Sequence, residues 1–288
     1  SAGVLQFEQR YNDPQLQDIA DEYQRALYGR TLFSTGNFMP FGIDYIQETT
    51  VFREYGPLAG NTVRIGYEYA PSFGDFMSRH TAELDARYYM RLATNGVLAF
   101  RLRGFKSWGE FPGYMYFGGN SEMRGYDYLE FIGNKAFFAN AELRFPIIEA
   151  ALTPLGVVGG LRGVFFANFG ASGFDGIPMK VWTNDPIDYT PLIGFEQDPD
   201  APLGFIRPVF GPTTRIHGFK LVDGRASYGI GLETFALGFP IHFDWSWRTL
   251  FNRDWEDFVF AYQGFLEGKS GSEWFRKPRF AMWIGYDF

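Results

Sequence analysis

The stretch TAELDARYYMRL, residues 81–92, decides the fold class. Ala82, Leu84, Ala86, Tyr88, Met90 and Leu92 take every second place. Thr81, Glu83, Asp85, Arg87, Tyr89 and Arg91 take the places between. Side chains alternate across an extended backbone, so this period builds a strand with one oily face and one heavily charged face. The same two-residue period recurs through most of the chain. In 62–69, Val63, Ile65, Tyr67 and Tyr69 oppose Arg64 and Glu68. In 98–104, Leu98, Phe100 and Leu102 oppose Arg101 and Arg103. Segment 137–147 sets Phe137, Ala139, Ala141, Leu143, Phe145 and Ile147 against Asn140, Glu142 and Arg144. Segments 225–236 and 241–249 repeat it, the latter with Ile241, Phe243, Trp245 and Trp247 against His242, Asp244 and Arg248. Weaker examples lie at 157–169, 46–55 and 30–38, and marginal ones at 2–10 and 258–266.

A soluble sandwich also alternates, but its polar face meets bulk water and carries scattered Lys, Thr and Ser. Here the polar faces carry Arg together with Glu and Asp, the pattern of an ion-pair ladder in an enclosed lumen. Composition agrees. Aromatic and charged residues are equally abundant at 20% each, which is unusual for a soluble domain. Mean hydropathy is only -0.18, and no run approaches the about 18 apolar residues of a spanning helix. A net charge of -7 argues against nucleic-acid partners, and the lack of cysteine excludes disulfide scaffolds and thiol catalysis. His80, His217 and His242 have no metal-ligand spacing, so neither a metal nor a cofactor is expected. His242 and Asp244 share one strand face; an ion-pair rung is preferred there over a hydrolase dyad, so no catalytic residue is expected. The tryptophans Trp245, Trp247, Trp255, Trp274 and Trp283 read as an interfacial girdle.

Connector lengths support a membrane barrel. Between the strands they run 56–61, 70–79, 93–96, 106–135, 148–156, 170–224, 237–240 and 250–278, short and long in strict alternation. Transmembrane β-barrels do this because turns on one side are short and loops on the other are long. One helix is expected near the start, where Asp13 caps, Pro14 takes the first helical position and Gly29 stops it. Residues 1–29 are therefore read as a linker with an amphipathic helix. Residues 30–288 are read as an all-β transmembrane antiparallel barrel with about 10–12 recognisable strands. At the far end, Phe280, Met282, Ile284, Tyr286 and Phe288 close the chain on alternating apolar positions.

Connector 106–135 contains Gly118-Gly119-Asn120-Ser121-Glu122-Met123-Arg124-Gly125-Tyr126. It is followed by Glu142-Leu143-Arg144-Phe145-Pro146 and then by Leu161–Gly170. In this order, and with the aromatic terminal strand, residues 80–288 resemble the C-terminal barrel of the BamA-type outer-membrane assembly and translocation superfamily, the bacterial surface antigen family. The resemblance implies that Arg124, Gly125 and Tyr126 form the tip of an outer loop folded back into the barrel. It makes Glu142 the acidic partner of Arg124, and puts Asn168 where the family carries a second acid. It further implies a C-terminal assembly signal at Phe280, Met282, Ile284, Tyr286 and Phe288, with a seam loosened at Gly285.

The expected location is the bacterial outer membrane, and the expected role is insertion or translocation of proteins there. The expected partners are the lipid bilayer and lipopolysaccharide, unfolded outer-membrane clients and periplasmic accessory proteins. The alternative is a structural or channel-forming barrel that anchors a partner or an N-terminal module. Two departures from the family stand out. Its barrel has sixteen strands against about ten read here, and no periplasmic POTRA module is read in these residues.

Overall fold

A computed structural model of the chain describes residues 3–7, 14–28, 36–53, 56–74, 76–92, 96–153, 156–200, 204–236 and 239–285. The N-terminal portion holds β1 (Leu5–Phe7), helix α1 (Pro14–Tyr28) and β2 (Gly36–Phe38). Then come β3 (Phe41–Glu48), β4 (Val51–Arg53), β5 (Gly56–Ala70), β6 (Arg79–Arg91) and β7 (Val97–Gly109). A hairpin of β8 (Met115–Phe117) and β9 (Phe131–Gly133) leads into the long strands β10 (Lys135–Thr153) and β11 (Gly156–Gly173). Next is a projecting ribbon of β12 (Trp182–Thr183), β13 (Ile187–Tyr189), β14 (Leu192–Gln197), β15 (Ile206–Phe210), β16 (Thr214–Ile216) and β17 (Lys220–Leu221). β18 (Gly224–Ala236) and β19 (Phe239–Thr249) follow. Short helices α2 (Arg253–Val259), α3 (Ala261–Leu266) and α4 (Gly271–Phe275) precede β20 (Arg279–Ile284).

The protein is built on one large antiparallel sheet, ordered β20-β19-β18-β11-β10-β7-β6-β5-β3, with β4 also on β5. Apart from the small excursions, neighbours in sequence are neighbours in space, as hairpin connections dictate. Among the described residues β3 and β20 are not paired with one another, so the sheet ends in two edges. Closure into a barrel, expected from the sequence, is thus not seen in this sheet. Every neighbouring pair is antiparallel, so the first and ninth strands of the path run in the same direction.

The two faces have inverted burial. On the apolar face Ile43 is 73% exposed, Ile230 45% and Met282 61%. On the polar face Glu142 and Arg144 are each 1% exposed, and Asp244 3%. Soluble monomers rarely expose a contiguous apolar surface of this kind. The polar face also carries the expected ladder of ion pairs. Asp44 meets Arg64 at 3.0 Å, Glu68 meets Arg79 at 2.7 Å, and Asp85 takes both Arg87 and Arg101 at 2.7 and 2.9 Å.

Several boundaries differ from the expectation. Residues 56–61 belong to β5 rather than to a turn. Gly60, at φ 102°, lets the Thr49 carbonyl approach where a Cβ would collide with it. β10 does not stop at 147; the register shifts between Pro146 and Ile148, and the strand runs on through most of the expected connector 148–156 to Thr153. Segment 258–266 is not a strand. It spans the end of α2 and all of α3, anchored by the buried Glu256 carboxylate. That carboxylate accepts from the Leu250 backbone at 2.6 Å and from Arg276 at 2.5 Å. At the other end, the 2–10 segment holds β1, which pairs with β2. The cap Asp13 and the stop Gly29 lie outside the described residues, as do Tyr286 and Phe288.

Candidate functional site: the loop tip on the polar face

The connector between β7 and β10 folds back onto the polar face. Gly118 and Gly119, at φ 139° and 72°, turn the backbone, and Glu122 Oε2 accepts from Gly118 N at 3.0 Å. Asn140 on β10 then donates to the Glu122 carbonyl at 2.5 Å. These contacts deliver Arg124 into the sheet, where it is 3% exposed. Its Nη2 lies 2.9 Å from Glu142 Oε1 on β10, and its Nε lies 3.3 Å from Asp244 Oδ2 on β19. The guanidinium also covers the Phe166 ring of β11 at 4.5 Å.

Two strands separate β10 from β19, an interval of about 14 Å in a flat sheet. One guanidinium reaches both carboxylates because the sheet curls with its polar face inward. Arg144 completes the cluster, giving Nη2 to Glu142 Oε2 at 2.8 Å. Glu142 therefore neutralises two arginines in a site that excludes water, where charge-assisted bonds are strong and an unpaired charge is costly.

The neighbours of Arg124 explain the rest of the tip. Gly125, at φ 90°, sits so close to Ser246 that a Cβ would come within 2.8 Å of its Oγ. Tyr126 donates its hydroxyl to the Ala226 carbonyl on β18 at 3.1 Å, and its ring packs on Phe131. Burial raises the Tyr126 phenol far above its ordinary range, so it remains a donor. Asp127 ends the turn with an ion pair to Arg279, at the start of β20, at 3.0 Å. Around these groups Phe117, Met123, Phe138, Leu221, Leu250, Trp255 and Phe275 form an apolar plug.

The sequence reading placed Arg124, Gly125, Tyr126 and Glu142 together, and the structure brings them together. Asn168 is close by in a different role. It accepts from Asn140 at 2.8 Å and donates to Ser227 at 3.0 Å, a neutral polar rung across β10, β11 and β18. The second acid on Arg124 is Asp244, two strands further along the sheet, which the sequence reading had as a rung beside His242. Of the terminal-strand residues, Phe280, Met282 and Ile284 face outward and are exposed. Gly285 lies at the end of β20, bonded through its N–H to the Pro240 carbonyl.

Of the tryptophans read as a girdle, Trp245 and Trp247 lie on the apolar face, and the others do not. Trp255 and Trp274 belong to α2 and α4. Trp283 points inward, 8% exposed, stacked on His242 at 3.7 Å and donating Nε1 to Asp244 Oδ2 at 2.8 Å. Its position between Met282 and Ile284 was the available signal, because strand parity puts it on the opposite face from both. Among the described residues no group of three or more potential metal ligands gathers. Searches of family models and of curated proteins give no match to this chain.

Proposed function

We propose that this chain forms the wall of a bacterial outer-membrane β-barrel and serves the insertion or translocation of other proteins there. The observation that carries the reading is the inverted burial. A sheet that hides Arg124, Glu142, Arg144 and Asp244 while exposing Ile43, Ile230, Phe280 and Met282 is built for a surrounding of hydrocarbon. Connector lengths agree, because β10–β11 and β18–β19 join by short turns at one end, while 110–134, 174–223 and 250–278 cluster at the other. The locked Arg-Gly-Tyr tip agrees with the assembly-factor resemblance.

The mechanism makes and breaks no covalent bond. Unpaired N–H and C=O groups on a sheet edge template a further strand, and both β3 and β20 present such an edge. A seam between them would be parallel, the slightly weaker pairing, so it would open more readily than the antiparallel wall. The Arg124–Glu142 lock keeps the wall curled while the seam is open. The clients are unfolded outer-membrane chains, and lipid with lipopolysaccharide forms the outer surround.

The test is reconstitution. Vesicles containing the chain should speed the folding of a urea-unfolded outer-membrane protein over empty vesicles, and vesicles with the Arg124→Ala variant should not. No acceleration by the unaltered chain would leave the second reading, a structural barrel that anchors a partner.

A further inference from the structure

We propose that the loop tip and the last strand form one mechanical unit, with Asp244 as the joint, so that releasing the tip releases the β20 edge. Six contacts carry this. Asp244 Oδ2 is shared: Arg124 Nε approaches it from the tip at 3.3 Å, and Trp283 Nε1 donates to it from β20 at 2.8 Å. The Trp283 ring lies flat on His242 at 3.7 Å, and the Arg124 guanidinium stands 5.9 Å from the same indole. His242 Nε2 in turn meets the Gly285 carbonyl at 2.8 Å, just beyond β20. At the opposite end of β20, Arg279 pairs with Asp127, one residue after the Arg-Gly-Tyr tip.

β20 is short, and among the described residues β19 is its only ladder partner in the sheet. Its outward side chains Phe280, Met282 and Ile284 are exposed. Its inward hold on the body of the protein therefore comes from Trp283 and Arg279, and both end on groups that the tip also engages. Removing Arg124 takes the cation from Asp244, leaving a buried carboxylate whose remaining side-chain partner among the described residues is the indole. That carboxylate then gains by turning toward water, which unstacks Trp283. The tip and the edge are two faces of one equilibrium, and coupling of this kind is reciprocal. The unit rests on contacts within the polar face and stands whether or not the chain inserts clients.

Hydrogen exchange read by mass spectrometry on the purified, detergent-folded chain tests the coupling. In Arg124→Gln, amides of 279–284 should exchange about ten-fold faster while those of β6 and β7 keep their rates. In Trp283→Phe, which keeps a ring but loses the N–H, the tip amides of 119–126 should speed up by a similar factor. Glu68→Gln breaks the Glu68–Arg79 pair between β5 and β6, outside the unit, and should leave β20 unchanged. The proposal is overturned if β20 in Arg124→Gln exchanges no faster, or speeds up only as much as β6 and β7. It is equally overturned if Glu68→Gln loosens β20 as much. Should Arg124→Gln not fold, Trp283→Phe decides alone: unchanged tip exchange contradicts the joint.

Discussion

The polar face is governed by what a buried charge requires. Glu142 answers both Arg124 and Arg144, so Glu142→Ala strands two cations in a dry site and should destabilise by about 3–5 kcal/mol. Asp44, whose side chain is 40% exposed, pairs with Arg64 in reach of solvent, so Asp44→Asn should cost under about 1 kcal/mol. Urea unfolding of the detergent-folded variants measures both, and equal effects would contradict an enclosed polar face. Gly125→Ala combines an unfavourable φ with a collision at Ser246 and should expel the tip, read as new protease cleavage between 119 and 130. The pairing of Arg124 with Glu142 was legible because the family resemblance named both and alternation turned Glu142 inward. Asp244 was legible as an inward residue but not as a partner. Its approach to Arg124 depends on how far the sheet curls across β11 and β18, and no local pattern encodes that distance.

At the scale of elements, alternation located β5, β6, β7, β10, β18 and β19 because each presents opposite chemistry on its two faces. The misreadings share a cause. Residues 56–61 and 148–153 read as connectors, yet a tight cross-strand contact at Gly60 and a register shift after Pro146 keep both stretches in strands. Apolar residues at 258, 260 and 262 mimic a strand, but the Asn252 cap of α2 and the buried Glu256 tether start a helical course that the segment continues. Trp283 was lost by grouping tryptophans by type instead of by parity. The same parity gives a sharp prediction for the outer face. Ile230→Arg places a charge on the side read as lipid-facing, and near the bilayer midplane should cost about 2–4 kcal/mol when folding into vesicles. In a water-exposed sheet the same change at a 45% exposed position would be close to neutral.

Across the large sheet, outward rings and aliphatics such as Ile43, Tyr228 and Ile230 oppose buried ion pairs such as Arg124–Glu142, while a second apolar cluster packs around the loop tip. Equal shares of aromatic and charged residues reflect that opposition along the strands, with Phe138, Phe166 and Trp283 as inward-facing rings. Mean hydropathy near zero is the average over those faces. The end-to-end asymmetry of connectors was legible in the sequence, whereas the shared direction of β3 and β20 was not, because it depends on the exact number of strands in the path. The outward apolar face is the claim on which the membrane reading rests. It is tested most directly by tryptophan fluorescence of single-tryptophan variants folded into vesicles containing brominated lipid. Trp245 and Trp247 should be quenched by the bromine while Trp283, stacked inside on His242, is not. Quenching of Trp283 with sparing of Trp245 and Trp247, or no quenching at all three, would contradict the account.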